Sequence, residues 1–252
     1  MRRSFTYSAI TLRVKQSGES NREAWFLTAE EGVIRATVFG GPKSRLRARV
    51  APFHEGELWV YYDPVRDSRK ANDFDVRSYR PGIRELYERA MTADAAAETI
   101  LASCGGGGNW TDAAQLTSGF LDALNDADAA LCCRLGVYFL WHWAEILGVR
   151  PDLATCTLCA RAVPREQALI FLAASEGLFC EHCAHRENPS PTTSRIRVDG
   201  GARLWLGGIE NLPPEAIARV TLDNTSLHQA KSLSKAILAR TLEKWLSTWD
   251  SI

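Results

Sequence analysis

The chain has 252 residues, 46% of them hydrophobic and 24% charged, which is ordinary for a globular protein with one large domain or two smaller ones. Residues 1–84 carry a charge balance of +6 (16 Lys and Arg against 10 Asp and Glu), and residues 85–252 carry −6 (14 against 20). A basic half favours a polyanionic partner over chance scatter of surface charge. The N-terminal sequence lacks the apolar run and cleavage site of a signal peptide, so we expect a cytoplasmic protein.

The first 80 residues predict five short β-strands. Residues that favour strands are concentrated in Phe5–Lys15, Ala24–Thr28, Val33–Phe39, Glu57–Tyr62 and Phe74–Tyr79. A short turn separates the second segment from the third, and Gly32 in this turn is available for positive φ. Five short strands in a segment of this length fit a small closed barrel of the OB type.

A basic segment, GGPKSRLRARV at residues 40–50, follows the third predicted strand. Its cations alternate along the chain, so in an extended conformation they form a one-sided row with a spacing of about 6.6 Å, close to the phosphate repeat of a single nucleic-acid strand. The alternative is a solvated edge strand whose cations discourage aggregation. With the basic residues near 70, the predicted nucleic-acid contacts are Lys43, Arg45, Arg47, Arg49, Arg66, Arg69 and Lys70.

Five aromatic residues in this half are candidates for stacking on bases: Phe39, Phe53, Trp59, Tyr61 and Tyr62. Packing in the core is the competing role for each of them. The sequence does not separate the two roles, because aromatic side chains serve both.

After Tyr79–Gly82 the pattern changes to the helical period. The predicted helices are Ile83–Ser103, Trp110–Asn125, Ala129–Leu147, Ala202–Ile209, Pro214–Val220 and Leu227–Trp249. We interpret Gly105–Gly108 as a linker, because the Lys-Ser/Thr pair of a phosphate-binding loop does not follow it. The apolar segment Leu131–Val149 contains three ionisable side chains, which favours a buried core helix over a membrane span.

Two Cys-x-x-Cys pairs, Cys156/Cys159 and Cys180/Cys183, are separated by 20 residues. Between them the sequence predicts a strand at 168–172, a turn at 175–177 and a short return strand into Cys180, so a hairpin brings the two pairs together. Four cysteines at this spacing are typical of a zinc ribbon. A closed shell of four ligands leaves no open position for substrate, so we predict that the zinc has a structural role.

Four alternatives stay open for this module: an iron centre held by four thiolates, a redox dithiol pair, packed cysteines without metal, and mixed ligation in which His182 or His185 replaces a cysteine. Of the other cysteines, Cys132 and Cys133 are predicted to be core residues of the apolar helix. The chain has no metalloprotease motif, nucleophile elbow, phosphate-binding loop or dinucleotide fingerprint, and its five histidines are sparse. We therefore expect a protein without enzymatic activity.

The chain resembles the RecO family of bacterial recombination mediators over nearly its whole length. The resemblance rests on AWFLTAEEGVIRATVFGG, on PKSR at residues 42–45, on APF at residues 51–53 and on the paired cysteines that end in GLFCEHC. It implies an α+β protein with an OB barrel at 1–80, a helical domain at 81–252 and a zinc-binding module inserted at 154–187. Lys43 and Arg45 are then DNA contacts, and the four paired cysteines are zinc ligands.

The resemblance also implies a function in DNA repair at the bacterial nucleoid. It implies binding to single- and double-stranded DNA, annealing of complementary strands and help in replacing single-strand-binding protein. The implied partners are RecR and the C-terminal tail of single-strand-binding protein. The alternative is a zinc-containing adaptor that contacts a protein partner through its helical half and does not anneal DNA.

The tail expected as a partner is acidic and apolar, yet the helical half is itself acidic. Binding therefore needs a local basic rim around an apolar pocket. The last predicted helix offers one candidate rim, formed by Lys231, Lys235, Arg240 and Lys244. A solvated helix face is the equal alternative.

Overall fold

The computed structural model describes residues 3–41, 43–103, 108, 110–175, 177–187 and 195–252. These residues form two compact units, Met1–Ala127 and Asp128–Ile252. The fold class is the predicted one, because a closed five-stranded barrel is followed by helices and a four-cysteine module. Pro42 and most of the predicted glycine linker at 105–108 lie outside the described residues.

The barrel strands are β1 (Ser4–Ser17), β2 (Asn21–Thr28), β3 (Gly32–Val38), β4 (Glu55–Asp63) and β5 (Ser68–Ser78). They close in the order β1-β2-β3-β5-β4, in which β3 and β5 are parallel and the other neighbours antiparallel. This is an OB-type barrel, and all five predicted strands are confirmed. β1 pairs with both β2 and β4, and an irregularity between Thr11 and Arg13 bends it between the two partners.

Alternating side chains fill the barrel interior. Phe26, Leu58, Val60 and Phe74 are buried there, and the rings of Phe26 and Phe74 meet edge to face with centroids 5.9 Å apart. Burial of each of these side chains stabilises the fold by about 1.5–3 kcal/mol. Because the interior is filled, a ligand has to bind on the outer face or at the connections.

The basic segment between β3 and β4 is not extended. Arg45–Arg49 form a short helix, α1, and the Ser44 hydroxyl accepts a hydrogen bond from the backbone N–H of Arg47 at 3.4 Å. Gly40 before it has φ 122°, and an added Cβ would lie 2.7 Å from the Ser44 side chain. The expected one-sided row is therefore wrong, since side chains two residues apart on a helix diverge by about 200°.

Two further helices, α2 (Tyr87–Ala102) and α3 (Trp110–Asn125), complete the first unit. A 3-10 turn at Pro81–Arg84 precedes α2, so this helix begins four residues later than expected. Both helices belong to the same compact unit as the barrel. The domain division expected after residue 80 stays a prediction.

The second unit contains α4 (Ala129–Ile146), β6 (Leu169–Leu172), β7 (Gly177–Cys180), α5 (Glu181–Arg186), β8 (Arg195–Val198), α6 (Gly200–Ile209) and α7 (Asn224–Thr241). The three strands form one sheet in the order β7-β6-β8. α4 is the predicted core helix, with Trp141 and Trp143 fully buried. Across the described parts of the chain, every helix is too short or too polar to cross a membrane.

The last helix is shorter than predicted. α7 ends at Thr241, Glu243 takes a positive φ of 53°, and a separate 3-10 helix follows at Ser247–Ser251. The chain folds back so that Trp249 and Lys235 are both buried. The helical spacing of apolar residues continues beyond Thr241 in the sequence, so the pattern alone does not reveal the turn.

Candidate nucleic-acid interface and metal centre

The four cations of the basic segment lie on α1 and just before it. Lys43 and Arg45 are exposed, and Arg47 and Arg49 are half-buried. Arg49 Nη1 lies 3.2 Å from Asp73 Oδ1 on β5. Among the described residues, no carboxylate lies within 4.0 Å of the other three cations, so these are free to bind phosphate.

Arg66 and Arg69 lie in and after the connection between β4 and β5, and both have acidic neighbours. Arg69 Nη2 donates to Glu31 Oε2 at 3.0 Å, and its guanidinium stacks on the ring of Tyr62 at 5.5 Å. Arg66 is largely exposed, with Asp63 Oδ2 at 4.0 Å from its Nε. A phosphate at either arginine would compete with a carboxylate already in place.

A second group of cations gathers where β3 meets α1. Lys70 on β5 and Arg22 on β2 both pair with the last residues of β3. Lys70 Nζ lies 4.9 Å from the ring centroid of Phe39. Burial lowers the pKa of Arg22, and the positive charge of Arg47 lowers it further. Arg22 is distant from α1 in sequence, so only strand pairing could have identified it.

The outer face of β2 and β3 carries a further pair that sequence reasoning missed. Trp25 lies opposite Arg35 across the two strands. Arg35 is largely exposed, with its Nη1 3.7 Å from Glu23 Oε1. OB barrels bind oligonucleotides on this face, so both residues are reasonable contacts. The predicted strands and the short turn between them already bring Trp25 and Arg35 close to each other across the hairpin. Pairing of these strands was therefore the signal that could have identified the two residues.

The aromatic candidates differ in exposure. Phe53 is buried, whereas Trp59, Tyr61 and Tyr62 are half-buried on the barrel surface. Phe39 is 46% exposed. Stacking on a base requires a ring that solvent can reach, so Phe53 is a core residue and Phe39 is the most open of the five.

The four paired cysteines converge in the second unit. Their sulfur atoms all lie within 4.8 Å of one another. Cys156 and Cys159 lie in a tight loop that closes where the Ala160 N–H donates to the Cys156 carbonyl at 2.9 Å, and Ala160 takes a positive φ of 54°. Cys180 ends β7, and Cys183 lies in the first turn of α5. The predicted hairpin is confirmed, with β6 and β7 pairing Leu169 to Cys180.

The electrostatics of this cluster favour a bound cation. Burial acts to raise the pKa of Cys156, but hydrogen bonds from backbone N–H groups of Cys159, Cys180 and Leu158 outweigh it and lower the pKa to about 6. Burial and the neighbouring sulfur atoms raise the pKa of Cys183 to about 12. Four thiolates this close ionise together only when a cation neutralises them, so the donor set fits a structural metal site.

Histidine does not join the cluster. His182 and His185 are both exposed, and the group of metal-ligating atoms found among the described residues contains only the four cysteines. Mixed ligation by histidine therefore has no support in the part of the chain that the structure describes. Cys132 is buried in α4 as predicted, and Cys133 beside it is half-buried.

One buried arginine ties the cysteine module to α6, and sequence reasoning missed it. Arg203 donates five hydrogen bonds of 2.6–3.0 Å to main-chain carbonyls of the segments on either side of the first cysteine pair. The accepting residues are Leu153, Val163, Pro164 and Gln167. A guanidinium with several carbonyl acceptors satisfies polar groups that would otherwise be buried without partners.

The chain is similar to known proteins over most of its length. A family model described as Recombination protein O N terminal matches residues 1–75, and one described as Recombination protein O C terminal matches residues 84–250. Proteins named DNA repair protein RecO are similar in sequence. The one from Desulfitobacterium hafniense (strain DSM 10664 / DCB-2) is 27% identical over 96% of this chain and 86% of its own length. Those from Pelotomaculum thermopropionicum and Bifidobacterium longum subsp. infantis are 26% and 29% identical, over 96% and 68% of this chain and 90% and 71% of their own lengths.

Proposed function

The chain belongs to the RecO family of DNA repair proteins, and from this we propose that it binds DNA through its barrel and anneals complementary single strands in recombinational repair. The observation that carries the proposal is a set of cations without carboxylate partners among the described residues of an OB-type barrel, namely Lys43, Arg45, Arg47 and Lys70. Annealing brings two polyanions together, so the protein has to neutralise phosphates without reading bases. Such a role needs no enzymatic chemistry.

We further propose that the protein helps to replace single-strand-binding protein on DNA and that RecR is a partner. Membership of the family supports this proposal. The basic rim suggested for the tail of single-strand-binding protein needs one correction, because Lys235 is buried. Its ammonium donates to the main-chain oxygen atoms of Trp249 and Ile252. Lys231, Arg240 and Lys244 remain as candidates for that rim.

We propose that the metal held by Cys156, Cys159, Cys180 and Cys183 is zinc. Zinc accepts four thiolates in a tetrahedron and is redox-inert. The tetrahedral geometry suits a site in which each of two tight turns supplies two of the four thiolates. The ion would hold the hairpin of β6 and β7 against the loop that carries the first cysteine pair. All four ligand positions are then filled by protein, so the site has a structural role.

The DNA-binding proposal predicts a change in salt dependence. A variant with Lys43, Arg45 and Arg47 all changed to Ala loses three phosphate contacts, so the slope of log K against log salt for a single strand should fall by about 2. Annealing of complementary oligonucleotides should slow in parallel. Fluorescence anisotropy at several salt concentrations and a stopped-flow annealing assay measure the two effects.

The matched control removes the same charge from the second unit by changing Arg165, Arg186 and Arg219, which are all exposed, to Ala. This control should keep the wild-type slope. An equal loss of slope in both variants would show that net charge and not α1 determines binding. Absence of DNA binding by the wild-type protein would overturn the proposed function and leave the adaptor interpretation.

A further inference from the structure

Phe39 is an aromatic side chain that the barrel leaves open to solvent. It follows Val38, which is 1% exposed and pairs with Arg22 on one side and Ala71 on the other. Phe39 itself is 46% exposed. Because the strand before it is hydrogen-bonded on both edges, the ring starts from a rigid anchor and not from the middle of a free loop. Little further ordering is then needed for the ring to hold a ligand.

The surroundings of this ring are cationic. Lys70 Nζ lies 4.9 Å from the ring centroid, and the ring remains nearly half exposed with the ammonium in place. Lys43, Arg45 and Arg47 follow within eight residues of the chain, and none has a carboxylate within 4.0 Å among the described residues. A ligand that fits here has a flat aromatic group for the ring and, in the same molecule, a negative charge for the neighbouring cations. A nucleotide with an unpaired base has this combination.

The segment between the ring and the following cations is short. Gly40 takes φ 122°, which side chains other than glycine rarely adopt, and an added Cβ would lie 2.7 Å from Ser44. Ser44 caps α1, which carries Arg45 and Arg47 in its first turn. Three residues of the sequence separate Phe39 from Lys43, and α1 with Arg45 and Arg47 follows directly.

We propose that Phe39 stacks on an unpaired base and thereby makes this surface prefer single strands to duplex DNA. The inference rests on the proposed function and deepens it, because the cations alone bind any polyanion. In a duplex the faces of the bases are covered by their neighbours, so the ring gains nothing there. Stacking is tolerant of sequence, since every base has a flat face, and this suits a protein that anneals arbitrary strands.

The test compares Phe39→Ala with wild type on three DNA ligands of equal length: a single strand, the corresponding duplex, and a single strand with abasic sites in place of bases. Loss of one stacked base should weaken single-strand binding about 5- to 150-fold. Duplex and abasic DNA should bind as before, and the salt slope should not change, because no charge is removed. Phe39→Trp should bind single strands at least as tightly as wild type.

Tyr87→Ala is the matched control, because Tyr87 is a 70% exposed aromatic residue of the same compact unit. It should leave all three affinities unchanged. The inference is overturned if Phe39→Ala binds the single strand like wild type, or if it loses affinity equally for all three ligands. If the wild-type protein binds none of them, the proposed function fails and this inference with it; if it binds all three and only the Phe39 effect is missing, the proposed function stands alone.

Discussion

At the scale of single residues, Arg80 shows how one side chain holds two elements together. It is buried and takes a positive φ of 45° where the barrel ends. Its guanidinium donates to Asp122 Oδ1 at 2.6 Å, to Glu55 Oε2 at 2.5 Å and to the Phe53 carbonyl at 3.1 Å. Nothing in the sequence distinguishes it from Arg77, three residues earlier, which forms an exposed pair with Glu57.

We expect Arg80→Met to lower the free energy of unfolding by about 3 kcal/mol, because it leaves the Phe53 carbonyl without its donor and the partly buried Glu55 carboxylate without its cationic partner. Arg77→Met is the control and should cost less than about 1 kcal/mol, since that pair is exposed to solvent. Urea unfolding followed by circular dichroism measures both. Equal losses in the two variants would contradict the role given to Arg80.

Lys235 carries a pH dependence. Burial lowers its pKa from the ordinary value to about 8, and the charge of Lys231 contributes to the same shift. In the unfolded chain a lysine keeps its proton up to about pH 10.4. Between about pH 8 and pH 10.4 the unfolded state therefore binds more protons than the folded state, so the stability contributed by this group rises with pH across that window.

Lys235→Met removes this titration. We expect the difference in unfolding free energy, wild type minus variant, to grow by roughly 3 kcal/mol between about pH 7.5 and about pH 10.5. Denaturant melts at a series of pH values measure it. The exposed Lys244→Met should show no such trend, and a difference that stays constant with pH would refute the buried titration.

At the scale of elements, the cysteine module is small and depends on two fastenings. β6 and β7 have four residues each, and α5 has six. Elements this short do not form stably alone. A metal held by the four cysteines would join the first cysteine pair to the hairpin, and Arg203 joins the flanking segments to α6. Loss of either fastening should therefore loosen this module before the rest of the second unit.

The metal prediction is that purified protein contains about one zinc per chain and that the double variant Cys156→Ser, Cys180→Ser contains little, because metal binding and local folding are coupled. Hydrogen exchange should accelerate at 153–187 in the variant and after chelation, while the barrel amides stay protected. Cys132→Ser, in the core of α4, is the control and should keep its metal. Full metal content in the double variant would exclude these ligands.

At the scale of the whole molecule, the compact units do not follow the change from strands to helices. The first unit continues to Ala127 and includes α2 and α3. α3 supplies Asp122 and Ser118 to the buried Arg80. A Cβ on Gly32 of the barrel would lie 2.5 Å from the ring of Trp110 at the start of α3, so strand and helix are in close contact.

We therefore expect a fragment of residues 1–127 to fold alone and bind single-stranded DNA, with a cooperative thermal transition. A fragment of residues 1–80 should lack that transition, because it exposes the α3-facing side of the barrel and removes three of the five hydrogen bonds that Arg80 donates, those to Asp122 and Ser118. Differential scanning calorimetry and near-ultraviolet circular dichroism compare the two. Cooperative unfolding of the shorter fragment would show that the barrel does not need α3.

The sequence by itself determined the elements whose signals are local. Concentrations of β-forming residues predicted all five barrel strands, the mainly apolar segment at 131–149 predicted the buried helix α4, and two Cys-x-x-Cys turns predicted a four-cysteine site. Each of these signals depends on residues that are near one another in the chain. The prediction of an extended one-sided row at Lys43, Arg45, Arg47 and Arg49 was wrong, because alternation of charge fits a strand while the Ser44 cap favours a short helix.

Only the tertiary structure decided which charges are free. Arg69 and Arg49 are paired with Glu31 and Asp73, which lie 38 and 24 residues away in the sequence. Burial of Lys235 depends on the chain turning back at Glu243, and the roles of Arg80 and Arg203 depend on carbonyl groups of distant segments. Ion pairs and burial depend on distances in space, and residue order along the chain does not fix those distances until the chain has folded.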